Sequence, residues 1–166
     1  MTRLPRTIRL DVSDSQVFEQ AALPGEWAVP GGFLFVDAAG AVLAPGAHQA
    51  FACGFLGTES FGWSTLVAVA PASEAEVAAV ITALARYFQD ELGAPSADAA
   101  REAAAQEVRF VSSLCDHPIG TLLTVTRRFE DDEIVERYAT VTPQDDMAAA
   151  HAAPIDLRAL AAELDR

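Results

Sequence analysis

The sequence predicts an α+β fold, with a mostly antiparallel sheet of roughly four to six strands and a central helical pair packed on one face. Three observations carry this expectation. A continuous apolar run, Trp63–Ala70, reads as a strand buried on both faces; two helical stretches follow it back to back; two β-branched stretches then flank an acidic tip. The order ββ(β)ααββ lacks the repeated strand–helix alternation that a doubly wound sheet needs.

Along the chain, Thr7–Val12 alternates Ile8, Leu10 and Val12 with polar residues, the period of a strand with one covered face. Ser13-Asp14-Ser15 is turn chemistry, and Gln16–Ala21 is a second extended piece. Pro24-Gly25 and Pro30-Gly31-Gly32 bracket Glu26–Val29, after which Phe33–Val36 reads as a strand ending near Ala39-Gly40. A short helix is expected over Pro45–Phe55, with His48, Phe51, Ala52 and Phe55 on one side and with Gly54 and Gly57 weakening it. Trp63–Ala70 is expected to stop at Pro71.

Ser73 and Glu76 then form a capping box, in which serine oxygen and glutamate carboxylate satisfy each other's backbone amides. Val77, Val80, Ile81, Leu84 and Phe88 recur at three- and four-residue steps, and Gly93 offers the left-handed stop. Ser96 caps a second helix reaching about Leu114, with Ala100, Ala104, Val108, Val111 and Cys115 on its apolar side. Beyond the loop Asp116–Gly120, Thr121–Phe129 and Ile134–Val141 form a hairpin around Glu130–Glu133. Residues 1–142 are therefore expected to be one α+β domain. Residues 143–166 follow as a polar link, Pro143–Asp146, and a short helix, Ile155–Leu164.

Composition narrows the chemistry. A chain of 166 residues with 51% hydrophobic side chains can bury one core unaided. Its formal charge of −13 would repel nucleic acid and anionic membrane surfaces, so neither is expected as a partner. All eleven positive side chains are arginines and asparagine is absent, a pattern that a G+C-rich gene explains. The absence of lysine excludes a Schiff-base enzyme, an internal pyridoxal-phosphate linkage and a phosphate-loop lysine. No resident cofactor is expected. The start lacks the apolar core of a secretory signal, and no segment approaches the roughly 20 apolar residues of a membrane span. A cytoplasmic location is the expectation.

Two sulfur–nitrogen pairs, His48 with Cys53 and Cys115 with His117, could converge on one tetrahedral metal ion, although their spacing matches no standard zinc pattern. A buried thiol already accounts for Cys115 on the helical stripe. The Glu130–Glu133 run lacks the spaced ligands and glycine of a calcium loop and reads as a solvated turn. Arg127, Arg128 and Arg137 are expected to cross-pair on the hairpin more than to hold a carboxylate ligand. No serine sits in a GxSxG elbow, and Ser64 reads as a strand-start residue. Aromatic residues gather in the β-rich half, where Trp27, Phe33 and Trp63 are candidate anchors for a protein partner if left partly exposed.

RTIRLDVSD, GEWAVPGGF, GFLGTESFGWSTLV and SLCDHPIGTLL together resemble an uncharacterised family of small alphaproteobacterial proteins, over about residues 3–142. The resemblance implies genes placed near accessory genes for redox or cofactor-dependent enzymes, and it assigns no catalytic residue. Two readings follow. The preferred one is a non-catalytic accessory module that binds another protein; the alternative is a small metal- or thiol-dependent enzyme built on His48, Cys53, Cys115 and His117.

Overall fold

The structure is a computed structural model that describes residues 2–9 and 18–141. In chain order its elements are β1 (Thr2–Ile8), β2 (Ala28–Val29), a 3₁₀ turn (Gly32–Phe35), α1 (Pro45–Cys53), β3 (Phe55–Gly57), β4 (Trp63–Ser64) and β5 (Leu66–Ala72). Then come α2 (Glu74–Glu91), α3 (Ala97–Leu114), β6 (Leu122–Glu130) and β7 (Glu133–Val141). The α+β class holds. Strands β1-β5-β6-β7 form one sheet and β2-β3-β4 another, every neighbouring pair within them being antiparallel. A bridge between Arg6 and Trp27, with the Thr7 amide donating to the Glu26 carbonyl at 2.8 Å, joins the sheets along β1.

Elements written by local chemistry form where the sequence places them. The Ser73 side chain accepts from the Glu76 amide at 3.1 Å, and Glu76 reaches back to the Ser73 amide at 3.3 Å. Such a cap stabilises a helix by about 1 kcal/mol. Ser96 does the same for α3 through the Ala99 amide at 3.0 Å. Helices α2 and α3 pack together, and their Val80, Leu84, Phe88, Ala104, Val108 and Val111 share a core with Leu4, Trp27, Val29, Leu56 and Ala72 of the strands. In a second core Phe55, Val67, Val69, Cys115, Leu123 and Val125 come together. Val67 and Val69, on one face of β5, are 0% and 1% exposed, whereas Leu66, Ala68 and Ala70 on the other face are only partly buried, so the strand is not fully covered on both sides as expected.

Five expectations are corrected. The run Trp63–Ala70 is not one strand: Trp63–Ser64 pairs with β3, and Leu66–Ala72 pairs with β1 and β6. The Ser64 hydroxyl marks the break by lying within bonding distance of the carbonyls of Leu66, at 2.8 Å, and Ile8, at 3.2 Å. Pro71 does not stop β5. Val69 exchanges bonds with Thr121 and Gly120, so Pro71, two residues on, turns its missing N–H to the side where β6 pairing has already ended.

The first strand begins at Thr2 rather than Thr7, because Pro5 faces its nitrogen away from β5, on the side where the Thr7 amide meets Glu26. Phe33–Val36 is a 3₁₀ turn, not a strand: Gly31 at φ 80° starts it, and Phe35 packs against Phe51 and Trp63. The expected helix at Pro45–Phe55 ends at Cys53, and Phe55 opens β3. Leu10–Val12, Ser13-Asp14-Ser15, Gln16-Val17, Pro143–Asp146 and Ile155–Leu164 lie outside the described residues.

The hairpin closes on Glu130 paired with Glu133, with Asp131 at φ 51° and Asp132 at φ 67° between them. Positive φ at both positions is the type I′ pattern, which favours Asn-Gly over two aspartates. Replacing the pair, Asp131→Asn with Asp132→Gly, relieves backbone strain and thins four consecutive carboxylates. It is expected to stabilise the fold by about 1 kcal/mol, read from the denaturant midpoint.

Candidate functional site

A single buried carboxylate organises one end of the molecule. Glu26, 1% exposed, follows a turn at Gly25 and precedes β2, so its backbone is anchored by β1 on one side and β3 on the other. Its Oε1 accepts the amides of Glu59 at 2.9 Å and Ser60 at 2.6 Å. Its Oε2 accepts the Leu23 amide at 2.5 Å and the Ser60 hydroxyl at 2.6 Å. Four donors onto one carboxylate offset the cost of burying it. The arrangement ties the loop Thr58–Gly62 to the turn at Leu23, and a Cβ on Gly57 would come within 2.6 Å of Oε1. Only glycine leaves room there.

The fastened loop then presents an aromatic ring. Phe61 holds φ 54°, a conformation uncommon for a bulky side chain, and its ring stacks on Tyr87 of α2 at 4.2 Å and 8°. Both residues are partly exposed. Phe33, also partly exposed, packs against the same core and meets Phe88, the residue after Tyr87 on α2, edge-on at 4.9 Å. Burial, with a smaller contribution from the Glu91 charge, raises the Tyr87 hydroxyl above the ordinary phenol range. The surroundings are acidic: Glu59 is exposed on the same loop, and Asp90 and Glu91 are exposed at the end of α2.

A second polar centre lies within the hairpin. The Arg127 side chain is fully buried, and its Nε donates to Glu136 Oε2 at 3.0 Å, the cross-strand pairing expected from the sequence. Nη1 donates to the carbonyls of Ala50, Phe51 and Gly54 at 3.3, 3.1 and 2.8 Å, and Nη2 donates to the Pro30 carbonyl. Arg127 thus closes the C-terminal end of α1 from outside the helix. Its neighbour Arg128 pairs with Glu130 at 3.0 Å in solvent.

His48 is exposed on α1 and Cys53 ends that helix, its thiol donating to the Gln49 carbonyl at 3.4 Å. Cys115 is the buried residue that terminates α3, and His117, partly buried, lends its carbonyl to Arg3 at 2.8 Å. Among the described residues no group of three or more His, Cys, Asp or Glu side chains is placed to hold a metal ion. Burial pushes the Cys115 thiol up to about 12, so it stays protonated at neutral pH and is a poor nucleophile. Cys115, Arg3 and Ser112 line an open depression of about 720 Å³ beside the start of α2.

Of the three aromatic candidates, Trp27 is 8% exposed and carries the Arg6 guanidinium 3.9 Å above its ring. Trp63 is partly buried against Phe35, and Phe33 adjoins the Phe61–Tyr87 pair through α2. Tyr87 was legible only as one more residue of a helical stripe's margin. Its signal is its place beside Phe88 on a helix that follows an aromatic, glycine-rich loop.

Among the described residues no helix is long and apolar enough to cross a membrane. A family model described as a family of unknown function, DUF6505, matches residues 1–156. Neither the curated proteins nor the solved structures contain a match to the chain.

Proposed function

The chain belongs to the family of unknown function DUF6505, and we propose that it is a non-catalytic accessory module that binds another protein in the cytoplasm. The supporting observation is Phe61: an aromatic residue held in a strained backbone conformation, on a loop fastened to a buried carboxylate, with its ring partly open to solvent. Strain maintained by the surrounding structure is typical of positions that serve a partner, and a ring already fixed in place loses little entropy on binding. The acidic rim and the formal charge of −13 favour a partner that offers an apolar groove edged with Arg or Lys. They disfavour nucleic acid.

Phe61→Gly separates a binding role from a structural one, because glycine adopts positive φ freely while removing the ring. The expected result is a melting temperature within about 4 °C of the wild type, since relieved strain offsets lost stacking. In parallel capture from an extract of the source cells, a protein retained by the wild-type chain is expected to be lost by the variant. Identical captured sets from the two baits would reject the reading.

A further inference from the structure

We propose that Ile155–Leu164 docks as a short amphipathic helix on the outer face of the β1-β5-β6-β7 sheet and covers an apolar strip there. This inference does not rest on the aromatic surface. The register sets Ile8 opposite Leu66, Ala68 opposite Leu122 and Leu122 opposite Val141, and residues directly opposite one another share a face. Those five side chains therefore lie together, on the side of the sheet away from Val67 and Leu123. Each is partly buried, and among the described residues none of them packs into a core. Helices α2 and α3 cover this face at its other end, where Leu4, Ala70 and Ala72 join their core. The strip begins where that cover stops.

Residues 142–166, outside the described residues, follow directly from Val141 at the edge of the strip and offer a matching occupant. Leu157, Leu160, Ala161 and Leu164 recur at three- and four-residue steps, Asp156, Arg158 and Glu163 lie off that stripe, and Pro154 stands where a helix start accepts proline. A helix of about ten residues is about 15 Å long, and four strands about 4.8 Å apart span about 14 Å, so one such helix crosses the sheet from β1 to β7. Alone in water a helix that short is marginal, and an apolar strip is the surface that stabilises it. The link 142–154 reaches up to about 43 Å when extended, so it sets no limit on docking.

Charge selects the same occupant. The register places Arg6, Arg128 and Arg137 on the face of the strip, whereas residues 142–166 carry five carboxylates against two arginines. Glu130 and Glu133 share that face only at the hairpin tip. Arg6 and Arg128 pair with Glu76 and Glu130, and among the described residues Arg137 has no ion pair. A second copy would instead set one chain of charge −13 against another.

The test uses the whole chain with labelled methyl groups, as wild type and as the triple variant Leu157→Ser, Leu160→Ser, Leu164→Ser. Methyl resonances are recorded with a soluble gadolinium chelate, which broadens groups open to solvent, and particle mass is read by light scattering. The wild type is expected to be a monomer in which the Leu66, Leu122 and Val141 methyls are shielded. In the variant those methyls should broaden while Val67 and Val69 remain shielded, which shows that the sheet is still folded. The folding constant of the variant should fall by on the order of tenfold, the burial lost less the ordering no longer required. Open methyls in the wild type overturn the proposal whatever the variant does. So does equal shielding in both chains, and a wild-type dimer with shielded methyls gives the strip to a second copy instead.

Discussion

Replacing Arg127 with methionine is expected to destabilise the protein by about 3–5 kcal/mol, although methionine fills much of the same volume. The loss has two parts. Glu136 is left without its cation, and the carbonyls of Ala50, Phe51, Gly54 and Pro30 are left without the donor that serves them. For a chain of this length the melting temperature should fall by about 6–20 °C, measured by circular dichroism. Arg127→Lys should recover only part of it, because a compact ammonium cannot reproduce a planar fork that reaches five acceptors. Loss of amide protection at the end of α1, where no residue was changed, is the accompanying sign. A melting point within about 2 °C of wild type would show that water or neighbouring groups replace the guanidinium and that the buried bonds contribute little net stability.

Arg127 also shows where the sequence was informative. It alternates in phase with Leu123, Val125 and Phe129, on the side of β6 that faces the core, and Glu136 is in phase with Ile134 and Tyr138 of β7. A charge in register with an apolar face is a prediction of a buried, fully bonded group. The caps of α2 and α3 and the hairpin were legible because their signals lie within a few residues of one another, as with Ser73 and Glu76. The division of Trp63–Ala72 between two sheets was not, since the bond that breaks the run reaches from Ser64 to Ile8, 56 residues away. Phe33–Val36 was misread for another reason: four apolar residues carry no period long enough to tell a strand from a turn of helix. The candidate site was legible in its composition and hidden in its wiring, because Glu26 binds donors 33 and 34 residues further along.

Glu26→Gln isolates that wiring with almost no change of shape. Every partner of the carboxylate is a donor: the amides of Leu23, Glu59 and Ser60, and the Ser60 hydroxyl, whose oxygen already accepts the Gly62 amide at 3.1 Å. A glutamine must turn its NH₂ toward one pair of those donors: against the Glu59 and Ser60 amides it leaves two N–H groups facing a third donor, and against Leu23 and the Ser60 hydroxyl, which can rotate to accept, it still leaves the Leu23 amide facing one. The expected cost is about 2–4 kcal/mol, and the melting temperature should fall by about 4–16 °C. Glu26→Asp retains the charge but withdraws it by one methylene, so it should fail at one oxygen and lose less. The loop effect should exceed the global one: the Glu59 and Ser60 amides should exchange freely under conditions where the α2 amides remain protected. Phe61, no longer held by the loop, should then relax from positive φ and leave Tyr87, so partner capture falls with the carboxylate even though neither ring is altered. Were the glutamine variant to keep slow exchange at Glu59 and Ser60, the strain at Phe61 would have to be maintained by its stacking on Tyr87 alone.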